Sequence, residues 1–369
     1  AFFLKLQARF LDVAQQAAKR PHWWMPGVSS DGRSMISLNV PSLGHVRDVC
    51  NALCARATLR AEEGDFDGFL ADVGAAKRIG RHLSCGNVLI AQLVGYRIEM
   101  MADRCMCAWA ALGGWRNEQC MAVRGVWSGL PALPPAAEVI DTGERWGALD
   151  LVMQSAQGPA GENPLLPFED ASGIGHGFEQ GVNKGDVHWD TVLRRMNEQE
   201  DAMVAACSAP TFAEKRQKSR AVDDTLDQWG KDLPEHGLPR NAGESAEAYT
   251  ERVARALCTT LLVRATPLLE FAQEQRTSDE MAQLMIACAW YKARENRWPA
   301  ALADLVPSEI AKLPHDVFVS ENAPIHYMAT QKGACLRSVG RDGVEDAAGG
   351  SRRSRPDDIV LGASQAPGR

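Results

Sequence analysis

No run of eighteen apolar residues occurs in this 369-residue chain, so no segment within it is expected to cross a membrane as a helix. No C-x-x-C pair occurs either, although there are ten cysteines. Cys50/Cys54 and Cys105/Cys107 sit in helical patterns among apolar neighbours, and Cys85, Cys120, Cys207, Cys258, Cys288 and Cys335 are scattered. Free cysteine packs as a small buried hydrophobe, so these read as core thiols rather than as zinc ligands or a disulfide framework. His-Glu-x-x-His, Gly-x-Ser-x-Gly and Ser-x-x-Lys are all missing, which removes the starting residues of the zinc-protease, serine-hydrolase and β-lactamase readings. The eight histidines are isolated from one another. A net charge of -7 argues against a nucleic-acid partner, which needs clustered positive surface. The cluster Arg352, Arg353 and Arg355 reads as a solvated loop. Gly173-Ile-Gly-His-Gly177 neither follows a strand nor precedes Gly-Lys-Ser/Thr, so it does not read as a phosphate loop.

Helical periodicity dominates what is present. Phe3, Leu6, Phe10, Val13 and Ala17 recur at three and four residues and predict a first helix buried on that stripe, ending before Pro21. His22, Trp23 and Trp24 follow in a connector, either as aromatic anchors on the helical body or as a binding rim. From residue 42 to about 83 a helix pair is broken at Glu63-Gly64-Asp65, and it looks like a tetratricopeptide-type unit. A long helix over 87–112 stops at Gly113-Gly114. Further helices are expected over 117–129 and 136–153, the latter with an apolar face of Val139, Ile140, Trp146, Leu149 and Val152. The pair Glu144-Arg145 reads as an ion-pairing motif with no second carboxylate in support of catalysis. Residues 155–188 are rich in glycine and proline, lack period and read as a loop or insertion. Helices resume over 189–207, 211–229 and 245–275, the last kinked or divided at Pro267.

The C-terminal part is the most distinctive. Thr277 and Glu280 form a capping box before Met281, Leu284, Met285, Cys288 and Tyr291, and Trp298-Pro299 ends that helix. Trp298 is expected to be a packed anchor between this helix and a small sheet. Leu302-Ala-Asp-Leu-Val-Pro307, Leu313-Pro-His-Asp316 and Ile325-His-Tyr327 follow. Strands are expected over 324–328 and 334–339, and Gly340 and Gly343 bracket a tight turn before Asp357-Asp358-Ile359. In this order the segments resemble the C-terminal region of type II secretion pseudopilins of the major, G-like type. They are also similar to a bacterial class, abundant in planctomycetes, that carries such an end behind a helical body. The chain begins Ala1-Phe-Phe-Leu without methionine, and members of that class often begin with a membrane helix. An anchor upstream of Ala1 is therefore one expectation, with an envelope location if it exists and a cytoplasmic one otherwise.

Asp342, Glu345 and Asp346 lie on one glycine-bounded loop, and Asp357 and Asp358 return beside it. Calcium takes six to eight oxygens, so this density of carboxylates could cage it, and the resemblance implies calcium at this place. Val317 departs from the family pattern, and the three arginines place positive charge nearby. Both readings stay open: a calcium site, or a solvated acidic turn. The expected fold is mostly α. It comprises a helical, partly tetratricopeptide-like body (1–154 and 189–276, separated by the 155–188 loop) and a small α+β pseudopilin-like element (277–369). The expected function is a non-enzymatic structural or protein-interaction role, with envelope or secretion association implied by the resemblance. The alternative is a hydrolase-like enzyme whose site lies in a groove of the helical body. A groove lined by paired carboxylates would favour the enzyme, and one lined by apolar and aromatic side chains a partner.

Overall fold

The computed structural model describes residues 4, 6–23, 28–29, 35, 38–39, 43–86, 88–157, 182–233, 238–345 and 357–363. The chain is mostly helical, with a small three-stranded antiparallel sheet near its C-terminal end. Helix α1 is Ala8–Ala18, and a two-residue ladder joins β1 (Val28–Ser29) to β2 (Leu38–Asn39). Helices α2 (Leu43–Glu62) and α3 (Phe66–Ser84) form the expected hairpin. Its turn follows from local chemistry: Gly64 takes φ +78°, and the Asp65 carboxylate accepts the Gly68 N–H at 2.9 Å, capping α3.

The first helix is turned away from its expected orientation. Leu11 and Ala18 are buried, whereas Leu6, Phe10 and Val13 face outward. The polar face decides this. Arg56 and Asp72, buried on α2 and α3, form a two-pronged ion pair at 2.7 and 2.8 Å. Gln15 of α1 donates to Asp72, and Asp12 accepts from Arg56 at 2.9 Å. Completing that buried pair outweighs burying the longer apolar stripe, because unsatisfied buried charge is costly.

Helix α4 (Leu89–Ala110) crosses α3 at unusually close range. A Cβ on Gly80 would come 2.9 Å from the Glu99 backbone nitrogen, and one on Gly95 2.5 Å from that of Ser84. Helix α5 (Asn117–Ser128) follows. The next expected helix is interrupted: α6 (Ala136–Val139) runs through a π turn over Ile140–Glu144 into α7 (Arg145–Gln157). The extra residue per turn shifts the phase of the stripe. Ala148, Leu151 and Val152 are therefore buried while Trp146, expected inside, is 55% exposed. Helix α7 extends past the start of the expected loop. At the loop's other end Lys184–Asp186 form a 3-10 turn, the Asn183 N–H donates to the Tyr249 hydroxyl at 3.0 Å, and Val187 is buried. The glycine-rich stretch between lies outside the described residues, as does Gly173-Ile-Gly-His-Gly177.

Helices α8 (Trp189–Cys207), α9 (Phe212–Lys231) and α10 (Ala246–Leu261) pack with α6 and α7 around a second apolar core. The next helix, α11, runs unbroken from Ala265 to Glu295, roughly 46 Å at 1.5 Å per residue. Thr277 does not open it: both Thr277 and Ser278 are buried in its middle. Pro267 does not divide it either, because it sits in the first turn, where a missing N–H costs nothing. The break falls at Leu262–Arg264. Buried Asp223 of α9 caps the new helix by accepting the Ala265 and Thr266 N–H groups at 2.8 and 2.9 Å.

Along α11 lies the sheet. Strand β3 (His326–Thr330) pairs antiparallel with β4 (Gly333–Ser338), which pairs with β5 (Ile359–Gly362). The third strand was not expected, since the stretch Ile359-Val-Leu-Gly362 is only four residues long. The sheet is tied to α4 through the Ala334 N–H and the Ala111 carbonyl at 3.0 Å. Asp316, 0% exposed, fixes the end of β4 by accepting from Ser338 Oγ at 2.9 Å, Val339 N–H at 3.0 Å and Phe318 N–H at 3.3 Å. Gly340 and Gly343 take φ +71° and +72° as the tight turn requires. Trp298 is half-buried against the main core, its ring covering Gly113, which has φ +71° at the end of α4. It therefore pins the α4 end, while Tyr327 links the sheet to the same turn through the Pro299 carbonyl at 3.1 Å.

Candidate functional site

Four arginines from separate parts of the chain converge on one groove of about 530 Å³. Its apolar floor comes from the first turns of α4 (Leu89, Leu93, Val94), from Val263 in the break before α11, and from the start of α11 (Pro267, Leu268, Phe271). Spacing of three and four places these on facing sides of the two helices. Arg47 comes from α2, Arg97 from α4, Arg264 from the break before α11, and Arg341 from the turn after β4. The groove thus joins the helical body to the C-terminal element.

The arginines are not equally committed. Arg341 donates twice to Glu274, at 2.7 Å through Nη2, and Arg264 pairs with Asp227 at 2.9 Å. Among the described residues Arg47 meets Asp48 alone, at 3.6 Å and well exposed. Arg97 has no ion pair among the described residues and lies over the Phe271 ring at 4.5 Å, with Arg341 beside the same ring at 5.6 Å. Burial lowers the Arg97 guanidinium below its ordinary value; Glu274 opposes that, and the neighbouring charges of Arg341 and Arg104 add to it. An anion entering here would relieve the repulsion between like charges and could take two guanidinium donors. All eleven lining side chains are arginine, leucine, valine, proline or phenylalanine. None of them can serve as a nucleophile or exchange a proton near neutrality.

In the acidic C-terminal loop the described carboxylates have protein partners. Arg337 bridges Asp358 and Glu345, the latter at 2.6 Å. Asp357 accepts the Asp342 N–H at 2.9 Å, and Asp342 accepts the Val344 N–H at 2.7 Å. Among the described residues no group of three His, Cys, Asp or Glu side chains is arranged to hold a metal ion. Asp346, Arg352, Arg353 and Arg355 lie outside the described residues.

Two charged clusters lie away from the groove, and only Glu144-Arg145 of the second was legible in the sequence. Lys77 of α3 is wholly buried, 2.8 Å from Asp103, 2.6 Å from Asp279 and 3.3 Å from Glu99. Arg81 pairs with Glu99 at 2.7 Å, Trp127 donates to Asp103 at 2.8 Å, and Gln275 donates to Glu99 at 3.1 Å. Burial opposes the lysine's charge, but the three carboxylates outweigh it and hold it protonated, while burial pushes Asp103 up to about 6 against the pull of Lys77. This cluster ties α3, α4, α5 and α11 together. Its signal was the i, i+4 spacing of Lys77/Arg81 and Glu99/Asp103 within otherwise apolar faces.

The other cluster surrounds the π turn. Arg145 pairs with Asp141 at 2.9 Å and with Asp201 of α8 at 2.8 Å, the interhelical ion pair expected of it. Burial raises the Glu144 carboxyl, and the backbone of Leu89 at the start of α4 opposes that rise. Glu200 is 0% exposed with no hydrogen-bond partner on either oxygen among the described residues, and burial pushes it up to about 8. Trp23 stacks on His82 at 6.4 Å, as an aromatic anchor would; Trp24 lies outside the described residues. All ten cysteines are free, Cys85 alone being exposed. No helix among the described residues is long and apolar enough to cross a membrane. No protein-family model matches the chain, and no curated protein or solved structure matches it either.

Proposed function

We propose that this chain is a non-enzymatic interaction protein that holds an apolar segment of a partner protein, flanked by acidic residues, in the Arg97 groove. The lining carries the reading: seven apolar side chains under four arginines suit an apolar body with negative charge at its edge. A groove open along one side and of this size takes two or three large side chains of a peptide. The hydrolytic alternative finds no nucleophile, acid or base in this lining. Envelope or secretion association belongs to the same reading and rests on the ordered motifs from Tyr291 to Asp358. The test is fluorescence titration with 1-anilinonaphthalene-8-sulfonate, an aromatic body carrying one anionic group. Saturable binding is expected, weakened about tenfold or more in Arg97→Glu and in Leu93→Ser, which corresponds to the loss of one charge-assisted contact or one apolar seat. Binding of equal strength in wild type and both variants would place the probe elsewhere and remove the groove as the site.

A further inference from the structure

We propose that α1 is a membrane-contact helix that lays its outward apolar stripe on the surface of an anionic lipid bilayer. Phe10 and Val13 of α1 are 55% and 56% exposed and stand three residues apart, so they form a ridge on one side of the helix, and Leu6, 68% exposed, comes just before its first turn. The opposite side is already occupied, since Leu11 and Ala18 are buried and Asp12 and Gln15 complete the Arg56–Asp72 pair. The ridge therefore has no further partner within the helix's own packing, and turning it inward would break that buried ion pair.

Charge selects the occupant. Positions 1–20 carry Lys5, Arg9, Lys19 and Arg20 against Asp12, four minus one, a local balance of +3 on a chain whose net charge is -7. Asp12 is neutralised by Arg56 at 2.9 Å, while Arg9, Lys19 and Arg20 are exposed. Arg9 stands about 70° around the helix from the centre of the ridge, at its border. An apolar ridge bordered by Arg9 within a positively charged segment matches the interfacial helix that buries its apolar side in the headgroup region while its cations meet anionic lipid. A second copy packed ridge to ridge would bring two segments of local charge +3 together, which works against self-association.

Co-sedimentation of the full chain with vesicles tests this, using phosphatidylcholine alone and phosphatidylcholine with roughly 30% phosphatidylglycerol. Binding to the anionic vesicles is expected to be about tenfold or more stronger than to the neutral ones and to weaken in high salt. Phe10→Ser and Arg9→Glu should each reduce it about tenfold. Both side chains are exposed, so unchanged urea midpoints are expected and exclude misfolding as the cause. Wild type that stays in the supernatant with anionic vesicles, or binds both vesicles equally, would overturn the proposal. So would a wild-type dimer in sedimentation velocity that Phe10→Ser dissociates, since the ridge would then be a self-interface.

Discussion

Replacing Glu200 with glutamine should stabilise the protein, and the gain should grow with pH in a way that identifies its cause. The side chain is completely buried, neither carboxylate oxygen has a hydrogen-bond partner among the described residues, and burial pushes its pKa from 4.5 to about 8. Below about pH 4.5 the carboxyl is protonated in both the folded and the unfolded chain, so it contributes no pH dependence. Between 4.5 and 8 the unfolded chain releases the proton and the folded chain keeps it, so stability falls as pH rises. Above 8 both states are ionised and the loss is complete. A tenfold change in proton affinity is worth about 1.4 kcal/mol, so a rise of this size corresponds to about 3 to 5 kcal/mol across that window. Glutamine is nearly isosteric and does not titrate. Urea unfolding followed by circular dichroism at pH 5, 6.5, 8 and 9 should therefore show the variant nearly level with wild type at pH 5 and ahead by several kcal/mol at pH 8, with no further gain at 9. Parallel stability curves for the two proteins would refute the reasoning and mean that Glu200 finds a partner or water.

Lys77→Met should cost about 3 to 5 kcal/mol, because Asp103, Glu99 and Asp279 would lose their buried cation. The loss should shrink as pH falls towards about 6, because Asp103 without the pull of Lys77 takes up its proton at higher pH than in wild type, and urea unfolding at pH 5 and 7.5 checks both statements. Asp316→Ala should cost roughly 3 kcal/mol or more by orphaning the Ser338 hydroxyl and the Val339 and Phe318 N–H groups, whereas Asp316→Asn should cost less because an acceptor remains. Calcium addition separates the two readings of the acidic loop, a cation site and a solvated acidic turn. With Arg337 holding Glu345 and Asp358, millimolar calcium is expected to shift the thermal midpoint by less than about 1 °C, and a larger rise that disappears in Asp342→Asn would restore the cation site.

Helix existence was legible wherever the signal was local. Gly64-Asp65 marked the α2–α3 turn through positive φ and a cap, and Gly113 marked the end of α4 in the same way. Errors arose where the deciding partner was distant in sequence. The orientation of α1 depends on Arg56 and Asp72, and the start of α11 on Asp223. The phase beyond the π turn depends on one inserted residue that no window of periodicity registers. The groove was hidden for the same reason. Arg47, Arg97, Arg264 and Arg341 are spread over almost three hundred positions, and each looks like an ordinary solvated arginine until α4 and α11 bring them together. The acidic loop stood out in sequence because its carboxylates are adjacent, but adjacency did not reveal that Arg337 engages two of them.

The groove's choice of an acidic apolar segment is measured most directly with a matched pair of labelled helical peptides. The two share the same apolar residues, one with glutamates at the flanking positions and the other with lysines. Fluorescence polarisation at low salt should give the glutamate peptide about tenfold or more the affinity of the lysine peptide. The preference should collapse in Arg97→Glu, because the Arg97 side chain has no ion pair among the described residues and its loss leaves a single guanidinium over Phe271. Equal affinities for the two peptides, or a preference for glutamate that survives Arg97→Glu, would contradict that choice.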